Sequence, residues 1–227
     1  MKLYYHPIST TSRPIMQFCA DNDIPIETEV VDLLTGAHHR EPFISINPNR
    51  MVPVLDDDGF ILTESSAILK YLAEKFDSPA YPKDLRQRAR VNEIMDWFNT
   101  NLYREFGYNM VYPQIFPHHA RKPADANKIT VDWGREKALA CLTLLDQNIL
   151  GPQKHYLCGD DITIADYFGA ALLTLGEVIG VKFARFPNVN RWLDRMKGRP
   201  SWNAVNEAHH GFVAAMKEKV PTFVSIN

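Results

Sequence analysis

Met51-Val52-Pro53-Val54-Leu55-Asp56-Asp57-Asp58-Gly59-Phe60-Ile61-Leu62-Thr63-Glu64-Ser65-Ser66-Ala67-Ile68 reads as a strand behind a proline, a tight turn, a second strand, and a helix opening on Glu-Ser-Ser. Asp58-Gly59 between two apolar runs is the signal of a two-residue hairpin. A proline at the head of a strand donates no hydrogen bond and holds a tight bend, in some proteins as a cis peptide. The bend is expected to leave the backbone N–H and C=O of Val52 free for a ligand. The helix beginning near Ser65 adds unpaired N–H groups and a partial positive charge, which suit a carboxylate. An exposed backbone edge beside an anion site fits an extended small peptide.

Upstream, Lys2 to Tyr5 reads as a short first strand. The polar stretch Ser9 to Ser12 follows, and Pro14 is tolerated in a helix's first turn. Ile15, Phe18, Cys19 and Asn22 then recur at helical spacing, and Ile26 to Val31 alternates as a second strand. A short helical turn around Phe43 and Ile46 precedes Pro48. The order β-α-β-α-β-β-α predicts a small mixed sheet with helices packed on it. Downstream, Asp77-Ser78-Pro79-Ala80-Tyr81-Pro82 suits a linker. Beyond it only helical patterns occur: Arg86 to Phe106, a face of Ala138, Leu142, Leu145 and Ile149, a helix capped at Thr163 with Asp166 in its first turn, and two more over 187–196 and 202–216. The predicted fold is an α/β domain over residues 1–77, a linker over 78–83, and an all-helical domain over 84–227.

The 227 residues carry 25 Lys and Arg against 27 Asp and Glu, a net charge of −2. That balance gives no electrostatic reason to expect nucleic acid or an acidic membrane as a partner. No apolar run reaches membrane-span length, and the N-terminus lacks a signal peptide's apolar core. Three cysteines without a CxxC suit a reducing compartment, so a cytoplasmic location is expected. The pairs His38-His39, His118-His119 and His209-His210 have no accompanying acid cluster or HExxH, and no metal site is predicted. Cys19, on the apolar face of the first helix, is expected to be buried and inert.

With these pieces in this order, the chain resembles the cytosolic glutathione transferases, which join a thioredoxin-like N-terminal domain to an all-helical C-terminal one. The resemblance rests on Tyr4-Tyr5-His6-Pro7-Ile8-Ser9-Thr10-Thr11-Ser12-Arg13, Val52-Pro53, Glu64-Ser65-Ser66-Ala67-Ile68, and Leu157-Cys158-Gly159-Asp160-Asp161-Ile162-Thr163-Ile164-Ala165-Asp166. The stretch from Val31 to His38 is most similar to the serine-using theta and delta groups. The resemblance implies transfer of the glutathione thiolate to a hydrophobic electrophile, small haloalkanes included. It also implies glutathione as cosubstrate, no cofactor, and a homodimer whose partner contact is expected on the long helix from Arg86. A non-catalytic binding protein of the same fold and a glutathione-dependent isomerase are the rivals. The isomerase branch's Ser-Ser-Cys motif is absent, as is the cysteine at position 9 of the thiol-transferase branch.

The chemistry needs a donor that stabilises S⁻ over SH, because an ordinary thiol is mostly protonated at neutral pH. Each pKa unit of lowering takes about 1.4 kcal/mol of preferential stabilisation. A hydrogen bond to the anion together with a helix dipole is large enough for one or two units. Ser9 matches the family's catalytic serine and is the expected donor; its plain alternative is a turn or helix cap, and Ser12 and Thr11 are the competing hydroxyls. For glutathione the resemblance assigns Thr11, the Val52-Pro53 edge, Glu64 to the amine, Ser65 to the γ-glutamyl carboxylate, and His38 to the glycine carboxylate. Arg50 or the Met51 backbone is expected to assist there. Tyr103, Arg104, Phe106, Met110, Tyr112 and Phe116 are expected near the electrophile, with ordinary interhelical packing as the alternative for each.

Overall fold

The computed structural model describes residues 1–227. β1 (Lys2–Tyr5) leads through the Ser9 loop into α1 (Arg13–Asp21), which returns the chain to β2 (Glu27–Val30). β1 and β2 are parallel, Lys2 opposite Glu27 and Tyr5 opposite Val30, and a parallel pair requires such a crossover. After the short α2 (Phe43–Ile46), β3 (Val54–Asp57) pairs antiparallel with β1, and β4 (Phe60–Thr63) closes the hairpin. The sheet order is β2-β1-β3-β4. Asp58 and Gly59 both have positive φ, 53° and 91°, the backbone that a two-residue hairpin turn requires. The Val52–Pro53 peptide is cis.

α1 buries Ile15, Phe18 and Cys19 against the sheet, and burial pushes the Cys19 thiol up to about 12. α3 (Ser65–Lys75) lies beside α1 and buries Ile68, Leu69, Leu72 and Ala73. Residues 78–83 are a pinned joint, because Ser78 and Ala80 are buried and the Ala80 carbonyl accepts from the Ile164 N–H at 2.9 Å.

The second half is helical. α4 (Leu85–Trp97) is capped by Asp84, whose carboxylate accepts from the N–H groups of Arg86 and Gln87. The helix does not end near Phe106 as its apolar pattern predicts. It widens into π-helical turns over Phe98–Leu102 and Arg104–Val111, then tightens into α5 (Tyr112–Ile115). Wider turns rotate the inward face and so blur the 3.6-residue repeat. α6 (Ala124–Leu144) crosses this segment, with Gly134 directly against the backbone of Asn109. α7 (Ile164–Thr174) is wholly buried and central, flanked by α8 (Pro187–Lys197) and α9 (Trp202–Met216). At its start Asp166 accepts from the Thr163 N–H and hydroxyl, the Leu157 N–H and the Trp192 indole, at 2.8–2.9 Å. The capping acid read from the sequence therefore also anchors α8.

A single apolar cluster runs from Leu3, Ile15 and Phe18 through Phe98 and Phe168 to Trp192, so the two halves share one core. A smaller cluster of Val31, Phe43, Val52 and Val54 lies apart from it. No helix is long and apolar enough to cross a membrane.

Candidate active site

The loop between β1 and α1 presents Ser9 half-buried at the junction of the halves. Its carbonyl accepts from the N–H groups of Ser12 and Arg13 at 3.2 and 3.1 Å, and its Oγ also accepts from the Ser12 N–H at 3.2 Å. Ser9 therefore satisfies the first donors of α1, and its oxygen is polarised by an N–H. The Thr11 hydroxyl lies 3.2 Å from the Ser9 Oγ and donates to the Val52 carbonyl at 3.1 Å. Thr11 has one hydroxyl proton, committed to Val52, so Ser9 is the donor in the Ser9–Thr11 contact. The Ser9 proton thus faces a weak neutral acceptor that an anionic sulfur would readily replace. Ser12 is different: its side chain is wholly buried and its hydroxyl has no partner.

The Val52 backbone is half free. Its carbonyl, expected to be open, is taken by Thr11, because the loop folds back onto the proline bend; its N–H has no protein acceptor. Asn47 Nδ2 donates to the Met51 carbonyl at 2.8 Å, while the side chains of Arg50 and Met51 stand exposed. Glu64 sits just ahead of α3 with φ 66° and ψ 114°, an unfavourable backbone for a non-glycine residue, costing about 1–3 kcal/mol. Its carbonyl is held by the Ile68 N–H at 2.9 Å, its side chain is exposed, and Ser65 beside it is buried in the first turn. His38 lies in a single 3₁₀ turn, Ala37–His39, with its Nδ1 buried and unpartnered. Burial, then the neighbouring His39, His118 and His6, lower its pKa, so it is a neutral imidazole at pH 7.

Across the cleft stands a wall of rings. The Tyr112 hydroxyl donates to Thr10 Oγ1 at 3.1 Å and lies 2.5 Å from the Tyr103 hydroxyl. Tyr108 meets Tyr112 edge-on, His119 stacks on Tyr112 at 5.0 Å between centroids, and Phe116 lies parallel to Phe212 of α9 at 6.3 Å. Of the residues predicted near the electrophile, Tyr112 and Phe116 belong to this wall. Phe106 and Met110 have no exposed surface and are core, because the π-helical turns rotate them inward. Tyr103 is buried and stands behind the wall, edge-on to the rings of Tyr108 and Tyr112 and bonded to the Tyr112 hydroxyl. Arg104 turns outward to Glu105 at 2.7 Å and does not join the wall. Thr10, Tyr108, His119 and Phe212 were missed. The spacing of Tyr108, Tyr112, Phe116 and His119, three or four residues apart, is the available signal for two of them, Tyr108 and His119. No group of three or more His, Cys, Asp or Glu side chains is placed to hold a metal ion.

A thioredoxin-like sheet domain with a serine at the mouth of its first helix, closed by a helical half, is the architecture of a cytosolic glutathione transferase. The chain belongs to the glutathione S-transferase family: the family's N-terminal domain matches residues 3–80 and its C-terminal domain residues 109–200. It is 32% identical to human glutathione S-transferase theta-1 over 220 residues, 95% of this chain and 90% of that protein. A delta-class glutathione transferase from Nilaparvata lugens superposes with a TM-score of 0.81 at 31% identity, covering 96% of this chain and 98% of that one. Human glutathione transferase theta-2, solved in complex with glutathione and an unknown ligand, gives 0.82 at 29% identity, over 96% and 90% of the two chains.

Proposed function

We infer that this chain is a glutathione transferase that holds the cosubstrate's sulfur as a thiolate through the Ser9 hydroxyl and delivers it to an electrophile on the Tyr108–Tyr112–Phe116 wall. The observation that carries this reading is the Ser9 geometry: a half-buried hydroxyl, polarised by the Ser12 N–H and aimed at a weak acceptor beside the Val52 edge. Glutathione lies extended along that edge, its cysteinyl carbonyl accepting from the Val52 N–H. Its γ-glutamyl end reaches Glu64 and Ser65, and its glycine carboxylate reaches His38, with Arg50 alongside. Because His38 is neutral, it serves there as a hydrogen-bond donor and not as a fixed charge. In the reaction the sulfur lone pair attacks the electrophilic carbon. The thiol proton has already left to solvent. The bond to the leaving group then breaks with its electron pair, or a conjugated double bond takes up the electrons and is protonated from solvent, and Ser9 keeps its proton throughout.

Ser9→Ala is expected to lower kcat/KM about tenfold to a hundredfold, the worth of one hydrogen bond to an anion. The KM for glutathione should stay within about threefold, since the edge and the α3 site are untouched. A larger loss for Ser12→Ala than for Ser9→Ala would reverse the assignment. The family's usual assembly supports a homodimer, and Met51, Phe60 and Ile61, 40–52% exposed, offer apolar surface on the sheet domain for a second copy. Sedimentation should give a species twice the chain's 26.0 kDa; a monomer at micromolar concentration removes the dimer from this reading. A cytoplasmic location fits the same reading and is tested by fractionation of the producing cell.

A further inference from the structure

Five of the chain's eight histidines gather at one end of the cleft, and they come from both halves. His6 follows β1, and His38 and His39 share the 3₁₀ turn of the sheet domain, while His118 and His119 lie in the loop after α5. The rings of His38 and His39 meet with centroids 3.9 Å apart, and those of His118 and His119 with centroids 4.5 Å apart. His118 also stacks on Phe116 at 5.6 Å, so the ring is held to the wall although it is exposed. Every charge that acts on His38 belongs to another histidine: His39 from its own turn, His118 from the helical half, and His6 from the end of β1. Acids are scarce there. Of the five, only His6 has one within ion-pair distance, Asp32 at 3.9 Å, and the N–H groups of Leu34 and Thr35 already hold that carboxylate. His119 meets Arg121 and no acid. Burial, ahead of any neighbour, lowers the pKa of His6, His38 and His119, so these three are neutral imidazoles at pH 7. No three of the side chains are placed to share a metal ion.

Imidazoles packed side by side resist protonation, because each charge raises the cost of the next. An anion entering the group removes that penalty, so such a cluster binds a carboxylate and a proton together. His38 is the residue already assigned to the glycine carboxylate of glutathione. Its Nδ1 is buried without a partner, which leaves Nε2 as the nitrogen open to a ligand. His118 is the one histidine of the helical half whose charge reaches His38. We propose that His118 joins His38 in gripping the glycine carboxylate of glutathione from the opposite half, and that the cluster takes up a proton as that carboxylate binds. The inference rests on the glutathione transferase reading above. An imidazole whose pKa rises by about one on binding strengthens the complex below that raised value, and the contribution is lost as pH climbs through it. Between pH 7.5 and pH 5.5 the gain is about fivefold in affinity.

The test measures the dissociation constant of S-methylglutathione on the full chain by calorimetry at pH 7.5 and pH 5.5. The methylated sulfur does not titrate, so the Ser9 chemistry plays no part in the result. Wild type should bind about fivefold more tightly at the lower pH, and the same ligand with its glycine carboxylate converted to an amide should show no such gain. His118→Gln should cut the gain to about twofold or less, whereas His155→Gln, at an exposed histidine outside the cluster, should keep it in full. His118→Arg makes the charge permanent. It should bind at pH 7.5 about as tightly as wild type does at pH 5.5, which altered packing on Phe116 does not produce. Equal wild-type affinity at the two pH values overturns the inference, as does a full gain in His118→Gln. A gain for the amide as large as for the acid, or a His118→Arg no tighter than wild type at pH 7.5, overturns it too. Wild type that does not bind S-methylglutathione defeats the transferase reading together with this one, whereas binding without the pH effect defeats this one alone.

Discussion

At the scale of single residues, under the proposed reading some groups act through one proton, while others stabilise the fold through charge. Ser9 is of the first kind. Its hydroxyl is legible from the loop ahead of α1, but its advantage over Ser12 comes from burial, which no local pattern reports. Glu177 is of the second kind. Burial works to raise its pKa, but the hydrogen bond from His209 and the charge of Lys197 outweigh it and hold the carboxyl at about 2. A carboxyl whose pKa is lower in the folded than in the unfolded chain stabilises the fold above its ordinary value near 4.5, and that contribution is lost as pH falls toward 2. Glu177→Gln should therefore cost on the order of 2 kcal/mol at pH 7. The gap between variant and wild type should narrow steadily from pH 6 to pH 3 in urea unfolding. A gap independent of pH would mean that the Glu177 charge contributes nothing to stability.

At the scale of elements, what was legible followed strict periods and what was not followed contacts. β1, the Asp58-Gly59 hairpin, and the helices from Pro187 and Trp202 stand within a residue or so of where alternation, turn chemistry and apolar spacing put them. Each is specified by neighbours in sequence. The aromatic wall is not, because π-helical turns over Arg104–Val111 turn Phe106 and Met110 into the core and bring Tyr108 to the cleft. That widened segment is held in place by α6. An added Cβ at Gly134 would stand 2.7 Å from the Asn109 carbonyl carbon and 2.9 Å from the Met110 nitrogen, both backbone atoms without freedom to swing aside. Gly134→Ala should destabilise the protein by about 1–3 kcal/mol, the usual cost of overpacking. It should also raise the KM for an aromatic electrophile more than the KM for glutathione, since the displaced segment carries Tyr108 and leads into Tyr112. Equal changes in both constants would show that α6 supports the fold without setting the wall.

At the scale of the whole molecule, the sequence reads as two domains with a proline-rich joint, yet the halves are bound into one core. Residues of the sheet domain such as Ile15, Phe18 and Ile68 belong to the same apolar cluster as Phe98, Phe168 and Trp192. Arg13 and Gln17 of α1 are bonded to α7, α9 and Ser201, and the joint itself is tied to Ile164. These contacts join residues 84 to 193 positions apart, so composition and period have no access to them. Their consequence is cooperative unfolding: either half alone would expose a large apolar face, and a buried arginine would lose its acceptors. The two halves carry separate reporters. All four tryptophans, Trp97, Trp133, Trp192 and Trp202, lie in the helical half, while Cys19 lies within α1 and is 3% exposed. In urea, the fluorescence transition and the onset of Cys19 alkylation, followed by peptide mass, should share one midpoint. Cys19 becoming reactive at a clearly lower urea concentration than the fluorescence change would show that the sheet domain opens by itself, and that the shared core does not couple the two halves.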